Sequence, residues 1–417
     1  MFSINVIYEN AFYIQNKANG VNALKDGYVI VSAVRTPIGK FGGTLKDIDS
    51  ATLGSIVISE ALKRAGIEAA QVDEVIMGEV RQSAEASNVA RIAALRAGIP
   101  VEKPAFTVNR LCASGMQAIT SAIQQIAFDQ AEIVIAGGTE NMSRAPFYIT
   151  NARFGEGSPK MLDSNAINGQ QPMEIYGKHL GMGMTAENVA EKYGIAREEQ
   201  DEFAVLSQEK TQKAIEEGKF EAEIVPVEVK KRKESILFTQ DEFPRPGTNL
   251  ESLARLKPAF KEGGTVTAGN ACGRNDGASA VVIMKEQKAN ELGLKPLVRI
   301  VDWATSGVDP RIMGIGPVPA MQKLFDKTGL TKEDIDLYEL NEAFAAQSLA
   351  VLKESGIDIN KVNVNGGAIA LGHPLGATGA RITTTLIHEL IRRQGRYGIA
   401  TLCVGGGQGM ALLVERI

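Results

Sequence analysis

Apolar runs of strand length alternate with stretches of helical periodicity along most of the chain. The run YVIVSAV at residues 28–34 predicts a buried strand. The apolar spacing of residues 51–66 predicts a helix that ends at Gly66, a favoured helix stop. Further on, a short strand at 104–108 runs into a helix at 114–128. Strands that alternate with helices of about 10 to 15 residues predict a layered α/β architecture.

The same order of features returns about 260 to 270 residues later. The segment AGIEAAQVDEV, which begins at Ala65, resembles TGLTKEDIDLY, which begins at Thr328. In the same way LCASGMQAITSAI corresponds to LGHPLGATGARITTTLI, and IVIAGG corresponds to ATLCVGGG. Because three features match in order, we predict two copies of one strand–helix unit. Chance similarity between two α/β segments is the alternative.

A segment of different character separates the two copies, at about residues 146–258. It contains a helical stretch, AREEQDEFAVLSQEKTQKAIEEG, and a strand–turn–strand pattern, EIVPVEVKKRKESILF. We expect it to fold as an inserted cap, because insertions above α/β cores commonly carry ligand contacts. The predicted organisation is an extension at 1–26, an N-terminal half at 27–295 that contains the insertion, and a C-terminal half at 296–417.

Composition excludes several classes of protein. The 417-residue chain is 44% hydrophobic and 23% charged, as is typical of a soluble globular protein, and its net charge of −4 argues against a nucleic-acid binder. No stretch reaches the roughly 18 uninterrupted apolar residues of a membrane span, and the N-terminus makes a poor signal peptide. Three widely spaced cysteines without a C-x-x-C pair indicate neither disulfides nor a metal site. We therefore expect a cytoplasmic protein.

The first candidate for chemistry is Cys112, in VNRLCASGMQAI. It lies between a strand and a helix start, where the helix dipole and free N–H groups favour the thiolate. The small residues Ala113 and Gly115 would let a substrate approach. A buried structural cysteine is an equally good interpretation of this stretch alone.

His373 and Cys403 lie in glycine-rich segments of the second copy. His373, in ALGHPLGATGAR, could accept a proton from a thiol, and the alternative is a solvated loop histidine. Cys403, in TLCVGGGQG, ends an apolar strand before glycines whose N–H groups would suit an oxyanion hole. A dinucleotide-binding loop is a weak alternative for these glycines. Of the other two histidines, His388 is expected to be exposed on a helix.

Asn341 is the last candidate, in ELNEAFAAQ. The preceding strand, IDLYEL, would deliver it to the start of a helix. There an ordinary N-cap is the simpler interpretation.

Together these motifs resemble the thiolase family, the acetyl-CoA C-acyltransferases. NRLCASG, NEAFA, GHPLGATGAR and CVGGGQG occur in the family's order, and the likeness extends from about residue 28 to the C-terminus. The resemblance implies two similar α/β halves in five layers, α-β-α-β-α, with an inserted loop domain, assembled as a homodimer or homotetramer. It also implies reversible Claisen condensation of acetyl-CoA with acyl-CoA, or thiolysis of 3-oxoacyl-CoA. Acyl-CoA thioesters would be the substrates, and no further cofactor is implied.

The resemblance implies a role for each of five residues. Cys112 would be the nucleophile that becomes acylated, His373 the base that activates it, and Cys403 the acid and base at C2 of acetyl-CoA. One oxyanion hole would consist of His373 and a water held by Asn341. The other would consist of the backbone N–H groups of Cys112 and Gly405. Two thiols suit the task, because one must be a nucleophile and the other a mild acid and base near neutral pH.

The resemblance also implies contacts with coenzyme A. Arg245, in FPRPG, matches a position that holds a CoA phosphate. Further positions match the nucleotide, pantetheine or acyl end: Ser252, Phe260, Ala268, Cys272, Met182 and Met313. For the two methionines, plain core filling is the alternative.

Two positions depart from the family pattern. Gly181 stands where some short-chain biosynthetic members have histidine, and Cys272 stands where serine is frequent. Both leave the acyl-chain preference open. We favour acetoacetyl-CoA, and the alternative is a longer-chain 3-ketoacyl-CoA thiolase of fatty-acid β-oxidation.

Three rival functions fit the sequence less well. A condensing enzyme of the ketoacyl synthase kind would have histidine in place of Cys403. A cysteine hydrolase would explain neither the second thiol nor the duplication. A non-catalytic acyl-CoA-binding protein should have lost at least one of the four motifs.

Overall fold

The computed structural model describes residues 13–16, 21–24, 27–155, 157–166, 169–230 and 234–417. Within the predicted extension, strands β1 (Tyr13–Asn16) and β2 (Val21–Leu24) form an antiparallel hairpin. The rest of residues 1–26 lies outside the described residues.

The elements follow the order that the hydrophobic pattern predicts. The N-terminal part contains β3 (Tyr28–Arg35), β4 (Gly39–Lys40), α1 (Ser50–Ala65), β5 (Glu74–Gly78), α2 (Val89–Arg96), β6 (Ala105–Val108), α3 (Ser114–Ala127) and β7 (Ile133–Asn141). The inserted part contains β8 (Phe147–Thr150), β9 (Lys160–Asp163), α4 (Met173–Tyr176), α5 (Met182–Tyr193), α6 (Arg197–Glu216), β10 (Val227–Lys230), β11 (Ser235–Phe238) and α7 (Leu250–Ala254). The remainder contains β12 (Asn275–Lys285), α8 (Glu286–Glu291), β13 (Val298–Gly307), α9 (Pro317–Thr328), β14 (Leu337–Leu340), α10 (Ala345–Ser355), α11 (Ala368–Leu371), α12 (Leu375–Arg393), β15 (Tyr397–Val404) and β16 (Gln408–Arg416).

The sheet repeats one strand order twice. Strands β6, β5, β7, β12 and β3 lie side by side, with β5 parallel to both of its neighbours and β12 antiparallel to both of its own. In the second half β14 runs parallel to β15, and β16 is antiparallel to β15 and β13. Strands β3 and β13 pair at the centre and join the halves into a ten-stranded sheet. The sequence repeat is therefore a repeat of strand order and direction.

Apolar side chains on both faces of the strands build five layers. Helices α1 and α2 pack on the outer face of the first half, where Val57 and Ala93 contact strand residues such as Val75. Helices α3 and α12 lie between the halves, in a cluster that includes Ile119 and Leu386. Helices α9 and α10 cover the outer face of the second half. The five-layer α-β-α-β-α fold is confirmed, and each fully buried Leu or Ile in it contributes about 1.5–3 kcal/mol.

The two central helices touch backbone to backbone. A Cβ atom at Gly379 in α12 would lie 2.4 Å from the Met116 backbone nitrogen in α3, and one at Gly115 would lie 2.8 Å from the Ala380 nitrogen. Only glycine permits such an approach. Cys112 lies two residues before α3 and His373 two residues before α12. The helix contact therefore fixes how these two residues are placed relative to each other.

The inserted part between β7 and β12 contains the predicted helix as α6 and the predicted hairpin as β10–β11. The turn of that hairpin, at 231–233, lies outside the described residues. The exact domain boundaries remain a prediction. Within the described part of the chain, no helix is long and apolar enough to cross a membrane.

Candidate active site

Cys112 is presented by a tight turn between β6 and α3. Leu111 adopts a left-handed conformation with φ 47°, which is uncommon for a residue with a branched side chain. The Asn109 side chain accepts a hydrogen bond from the Leu111 N–H at 2.9 Å. The Ser114 hydroxyl accepts from the Arg110 N–H at 2.9 Å and donates to the Leu111 carbonyl at 2.6 Å. These bonds hold the turn, and the cysteine at its end is only half-buried.

The Cys112 thiol receives N–H groups from both halves of the molecule. Its own backbone N–H and that of Gly405 face the sulfur, and both lower the pKa of the thiol. Burial nevertheless raises the pKa of Cys112 to about 11, against the lowering effect of these N–H groups and of the Arg81 charge. Enclosure of the sulfur, in a residue that is half-buried as a whole, thus opposes the effect of the helix start, which favours the thiolate. The resting nucleophile is a thiol that needs a base.

His373 is buried and held at two points. Its backbone N–H donates to Asn275 Oδ1 at 2.9 Å, and its Nδ1 lies 2.6 Å from Thr378 Oγ1. Nε2 is buried without a hydrogen-bond partner among the described residues. Burial, together with the charge of Arg381, lowers the pKa of His373 to about 3. The imidazole is therefore neutral, and the solvated loop histidine considered from sequence is excluded.

A buried carboxylate anchors the start of α12. Glu140, at the end of β7, accepts hydrogen bonds from the Gly376 N–H at 2.8 Å, the Val80 N–H at 3.0 Å and the Arg81 N–H at 2.9 Å. Glu79 lies against the same glycine and is fully buried. Burial and the neighbouring Glu140 raise the pKa of Glu79 to about 8.

Cys403 is the second-last residue of strand β15, just before the glycine loop. It is 1% exposed and faces Gly409 across the β15–β16 pair. Burial, followed by the neighbouring thiols of Cys112 and Cys272, raises the pKa of Cys403 well above its ordinary value. Burial therefore favours the protonated thiol in the resting protein, and the role of Cys403 as acid and base stays a prediction.

The glycine loop after Cys403 runs into a strand. Gly406 and Gly407 have φ of 78° and 84°, and strand β16 follows directly. Because no helix N-terminus follows the glycines, the dinucleotide-binding alternative is wrong. A Cβ at Gly405 would lie 3.1 Å from side-chain atoms of Gln170 and Leu111, so the inserted part covers this loop.

Asn341 follows β14 and offers both ends of its amide. Its backbone N–H donates to the Thr401 carbonyl at 3.0 Å, while Oδ1 and Nδ2 are buried without partners among the described residues. The N-cap of α10 is Phe344, so the N-cap interpretation of Asn341 is wrong. An amide left open in this way is available to hold a water or a substrate oxygen.

Glu342, which sequence reasoning did not single out, ties several segments to Asn341. Its carboxylate accepts from the Ser207 hydroxyl at 2.7 Å, the Asn363 amide at 2.7 Å and the Ile369 N–H at 3.2 Å. These partners lie in α6, in the loop before His373 and in α11. The one signal in the sequence was the position of Glu342 directly after Asn341 in the motif NEAFA. Thr378 and Asn275, which hold His373, were also missed.

Some of the predicted coenzyme A contacts lie at the surface, and others lie beside the Cys403 thiol. Arg245 is exposed, stacks on the Phe243 ring at 5.1 Å and donates weakly to the Ala268 carbonyl at 3.5 Å. The next residues inward are Cys272, whose N–H donates to the Ala343 carbonyl at 3.0 Å, and Phe344 beside it.

Phe260 is another of the predicted coenzyme A contacts. It is 46% exposed and makes an edge-to-face contact with Phe344, with ring centroids 6.2 Å apart. Met182, Met313, Cys272 and Cys403 share one apolar cluster, so these predicted residues are brought together. Burial raises the pKa of Cys272 to about 12.

Ser252 is exposed in α7, and its hydroxyl donates to the Asn249 carbonyl at 2.7 Å, so its contact with coenzyme A stays a prediction. His388 is half-buried, with Nε2 2.9 Å from the Ala33 carbonyl, so the expectation of an exposed helix residue is wrong. Of the catalytic candidates, Cys112 and Cys403 lie close enough together for the charge of the Cys112 thiol to raise the pKa of Cys403.

Comparison with protein families assigns nearly the whole chain. The thiolase N-terminal domain profile matches residues 28–287, and the thiolase C-terminal domain profile matches residues 294–416. An acetyl-CoA acetyltransferase of Syntrophomonas wolfei is 53% identical over 395 residues, which cover 93% of this chain and 99% of the relative. That of Escherichia coli K12 is 53% identical over 392 residues, with 93% and 99% covered.

Solved structures agree with this assignment. The crystal structure of the Bacillus anthracis acetyl-CoA acetyltransferase is similar with a TM-score of 0.91 and 50% identity, covering 94% of this chain and 99% of that one. The human mitochondrial 3-ketoacyl-CoA thiolase in complex with CoA is similar with a TM-score of 0.89 and 47% identity, covering 94% and 98%. The chain belongs to the thiolase family.

Proposed function

We propose that the protein is an acetyl-CoA acetyltransferase. It interconverts two molecules of acetyl-CoA with acetoacetyl-CoA and CoA through an acyl thioester on Cys112. Relatives with this name are about half identical over almost the entire chain, which supports the assignment. The observation that carries the proposal is that the N–H of Gly405, from the second half, faces the thiol of Cys112, from the first, and lowers its pKa.

In the thiolytic direction the reaction begins with proton transfer from Cys112 to His373. The thiolate sulfur attacks C3 of the 3-oxoacyl-CoA, and the developing alkoxide is stabilised by the N–H groups of Cys112 and Gly405. The resting thiol and the neutral imidazole support general-base activation instead of a preformed ion pair. Losing one oxyanion donor should cost about 3 kcal/mol of transition-state stabilisation.

The second step breaks the C2–C3 bond and leaves the enolate of acetyl-CoA. Protonated His373 and a water held by the open amide of Asn341 stabilise the enolate oxygen. Cys403 gives its proton to C2, which releases acetyl-CoA. The raised pKa of Cys403 suits this step, because its proton is retained until the carbanion develops next to it. The Cys403 thiolate then takes the proton of the CoA thiol, and the CoA sulfur attacks the acyl group on Cys112. The Cys112 sulfur leaves and recovers its proton from His373, and condensation follows the same steps in reverse.

Acyl-CoA enters along the path from Arg245 to Cys272. The human relative with 47% identity has been solved in complex with CoA, which supports binding of this ligand. The Arg245 guanidinium would meet a phosphate at the surface, and the apolar cluster around Met313 would surround the pantetheine and acyl end. Phe260, which is exposed, would contact the ligand between them.

Trapping of the acyl-enzyme tests the assignment of the two thiols. We expect wild-type protein to retain radiolabelled acyl groups after quenching, Cys112→Ser to retain none, and Cys403→Ala to retain them without turning over. Equal labelling of Cys112→Ser and wild type would contradict the proposal.

A longer-chain specificity is the second candidate, because the human structural relative is named a 3-ketoacyl-CoA thiolase. The cysteine at position 272 and the glycine at 181 also leave it open. A thiolysis assay on 3-oxoacyl-CoAs of increasing chain length separates the two candidates. If acetoacetyl-CoA is the poorest substrate of the series, the preferred specificity is wrong.

The protein would act as a homodimer or homotetramer in the cytoplasm. Strand β6 is the last strand at one end of the described sheet, and the β8–β9 hairpin presents Phe147, Ile149 and Met161, each at least 59% exposed. Apolar surface of this kind favours association. Light scattering of wild type and Ile149→Lys measures the assembly, and a monomeric wild type would contradict it.

A further inference from the structure

We propose that Thr378 is a positioning residue that holds resting His373 in the tautomer with its proton on Nδ1, which leaves Nε2 as the basic atom. Thr378 touches neither substrate nor thiol. It acts only through the imidazole ring, and its kinetic consequence rests on the function proposed above.

The Thr378 hydroxyl has one proton and two close neighbours. Oγ1 lies 2.9 Å from the Pro374 carbonyl, one helical turn back, and 2.6 Å from His373 Nδ1. A carbonyl oxygen only accepts, so the hydroxyl proton points to Pro374. This back-bond from a threonine to the carbonyl four residues earlier is a common helix contact. The hydroxyl oxygen must then accept from Nδ1, and Nδ1 carries the hydrogen.

The other ring nitrogen agrees with this assignment. Nε2 is buried without a hydrogen-bond partner among the described residues, whereas an N–H at this position would be a buried donor without an acceptor. As a lone pair it is ready to take the proton of the Cys112 thiol. The bond made by one imidazole nitrogen commonly decides the protonation of the other.

Two further contacts fix the backbone around the His373 ring. The His373 backbone N–H donates to Asn275, and the Gly376 N–H donates to Glu140, so the segment 373–376 is fixed at both ends. A ring that turned Nδ1 towards the pocket would lose its bond to Thr378 Oγ1. The Thr378 hydroxyl, which contacts Nδ1, therefore decides which ring nitrogen carries the proton.

The same helix offers a matched control. Thr383 is fully buried in α12, and its hydroxyl makes the same kind of back-bond, to the Gly379 carbonyl at 2.8 Å. It does not contact His373. Thr383→Val therefore reproduces the loss of a buried hydroxyl and of one helix bond, without the effect on the imidazole.

The test is solid-state NMR of the full-length protein with ¹⁵N-labelled histidine. The chain has three histidines, so His179→Gln and His388→Gln suffice to assign the His373 signals. Near neutral pH we expect wild type, Thr378→Ser and Thr383→Val to show a protonated Nδ1 and an unprotonated Nε2. Thr378→Val should show the proton on Nε2 in a substantial share of the molecules.

Kinetics complete the test. Thr378→Val should lower kcat for acetoacetyl-CoA thiolysis by about ten- to a hundredfold with little change in KM, since one hydrogen bond to a general base is lost. Thr378→Ser should restore most of the rate, and Thr383→Val should stay near wild type. A wild-type ring with its proton on Nε2, or Thr378→Val with an unchanged tautomer and rate, overturns the inference. A wild type that does not turn over acetoacetyl-CoA would refute the proposed function instead, while the NMR result would still decide the tautomer.

Discussion

Replacing Glu79 by glutamine should stabilise the protein at alkaline pH and leave it almost unchanged at acidic pH. Glu79 is fully buried beside Glu140, and its pKa is raised from an ordinary value of 4.5 to about 8. The folded protein therefore binds a proton that the unfolded chain releases between these two values. The stability that the protonated Glu79 side chain contributes is fully present below about pH 4.5. It is lost progressively as the pH rises towards about 8.

The size of the effect follows from the two pKa values. The interval is about 3.5 pH units, and each unit corresponds to about 1.4 kcal/mol, so the ionised carboxylate costs about 5 kcal/mol above pH 8. Glutamine has nearly the same shape and does not ionise. Relative to wild type, Glu79→Gln should gain several kcal/mol near pH 9 and under about 1 kcal/mol near pH 5.

Urea unfolding at a series of pH values, with protein concentration held constant, measures this difference. The exposed Glu102 provides the control, and Glu102→Gln should follow wild type throughout. If the free energies of unfolding of wild type and Glu79→Gln change in parallel from pH 5 to pH 9, the buried carboxyl does not carry a proton and the reasoning fails.

Three other substitutions test the site. Glu342→Gln should lower kcat about tenfold and stability by about 1–3 kcal/mol. One of the two side-chain oxygens, which accept three hydrogen bonds, is replaced by an NH2 group that can only donate. An unchanged thiolysis rate would refute the link between Glu342 and Asn341. Gly379→Ala should lower Tm, with a cost of about 1–3 kcal/mol or more, since its Cβ would strike the α3 backbone; an unchanged melting curve would contradict the helix contact. Gly183→Ala should raise KM for CoA in steady-state assays, because the new methyl would lie 2.1 Å from the Phe260 ring and displace it, and an unchanged KM would argue that Phe260 does not contact the ligand.

The fold was predictable because its signals are local and repeated. Runs such as YVIVSAV and the helix stop at Gly66 each specify one element, and Gly66 does adopt the left-handed conformation with φ 69°. The matching order of motifs in the two copies then indicates the duplication. Cys112, His373, Asn341 and Cys403 were recognisable because each stands at the end of a strand or the start of a helix.

The environment of those residues was not predictable from their neighbours in sequence. The thiol pKa values depend on how the two halves enclose the sulfurs of Cys112 and Cys403, which the neighbouring residues in sequence do not show. The hydroxyl of Thr378 and the carboxylate of Glu342 act through partners that are distant in the chain or a turn away in the helix. Only packing decides whether such a side chain meets a functional residue or the solvent.

The pairing of β3 with β13 spans only three residue pairs, so most of the attachment between the halves lies in the central helix layer. Cutting the polypeptide in the connection before β13 would give two fragments. One would contain Cys112, and the other would contain His373 and Cys403. Neither fragment should turn over substrate when purified alone. Activity recovered on mixing them would report, as a simple titration, how tightly the fragments associate.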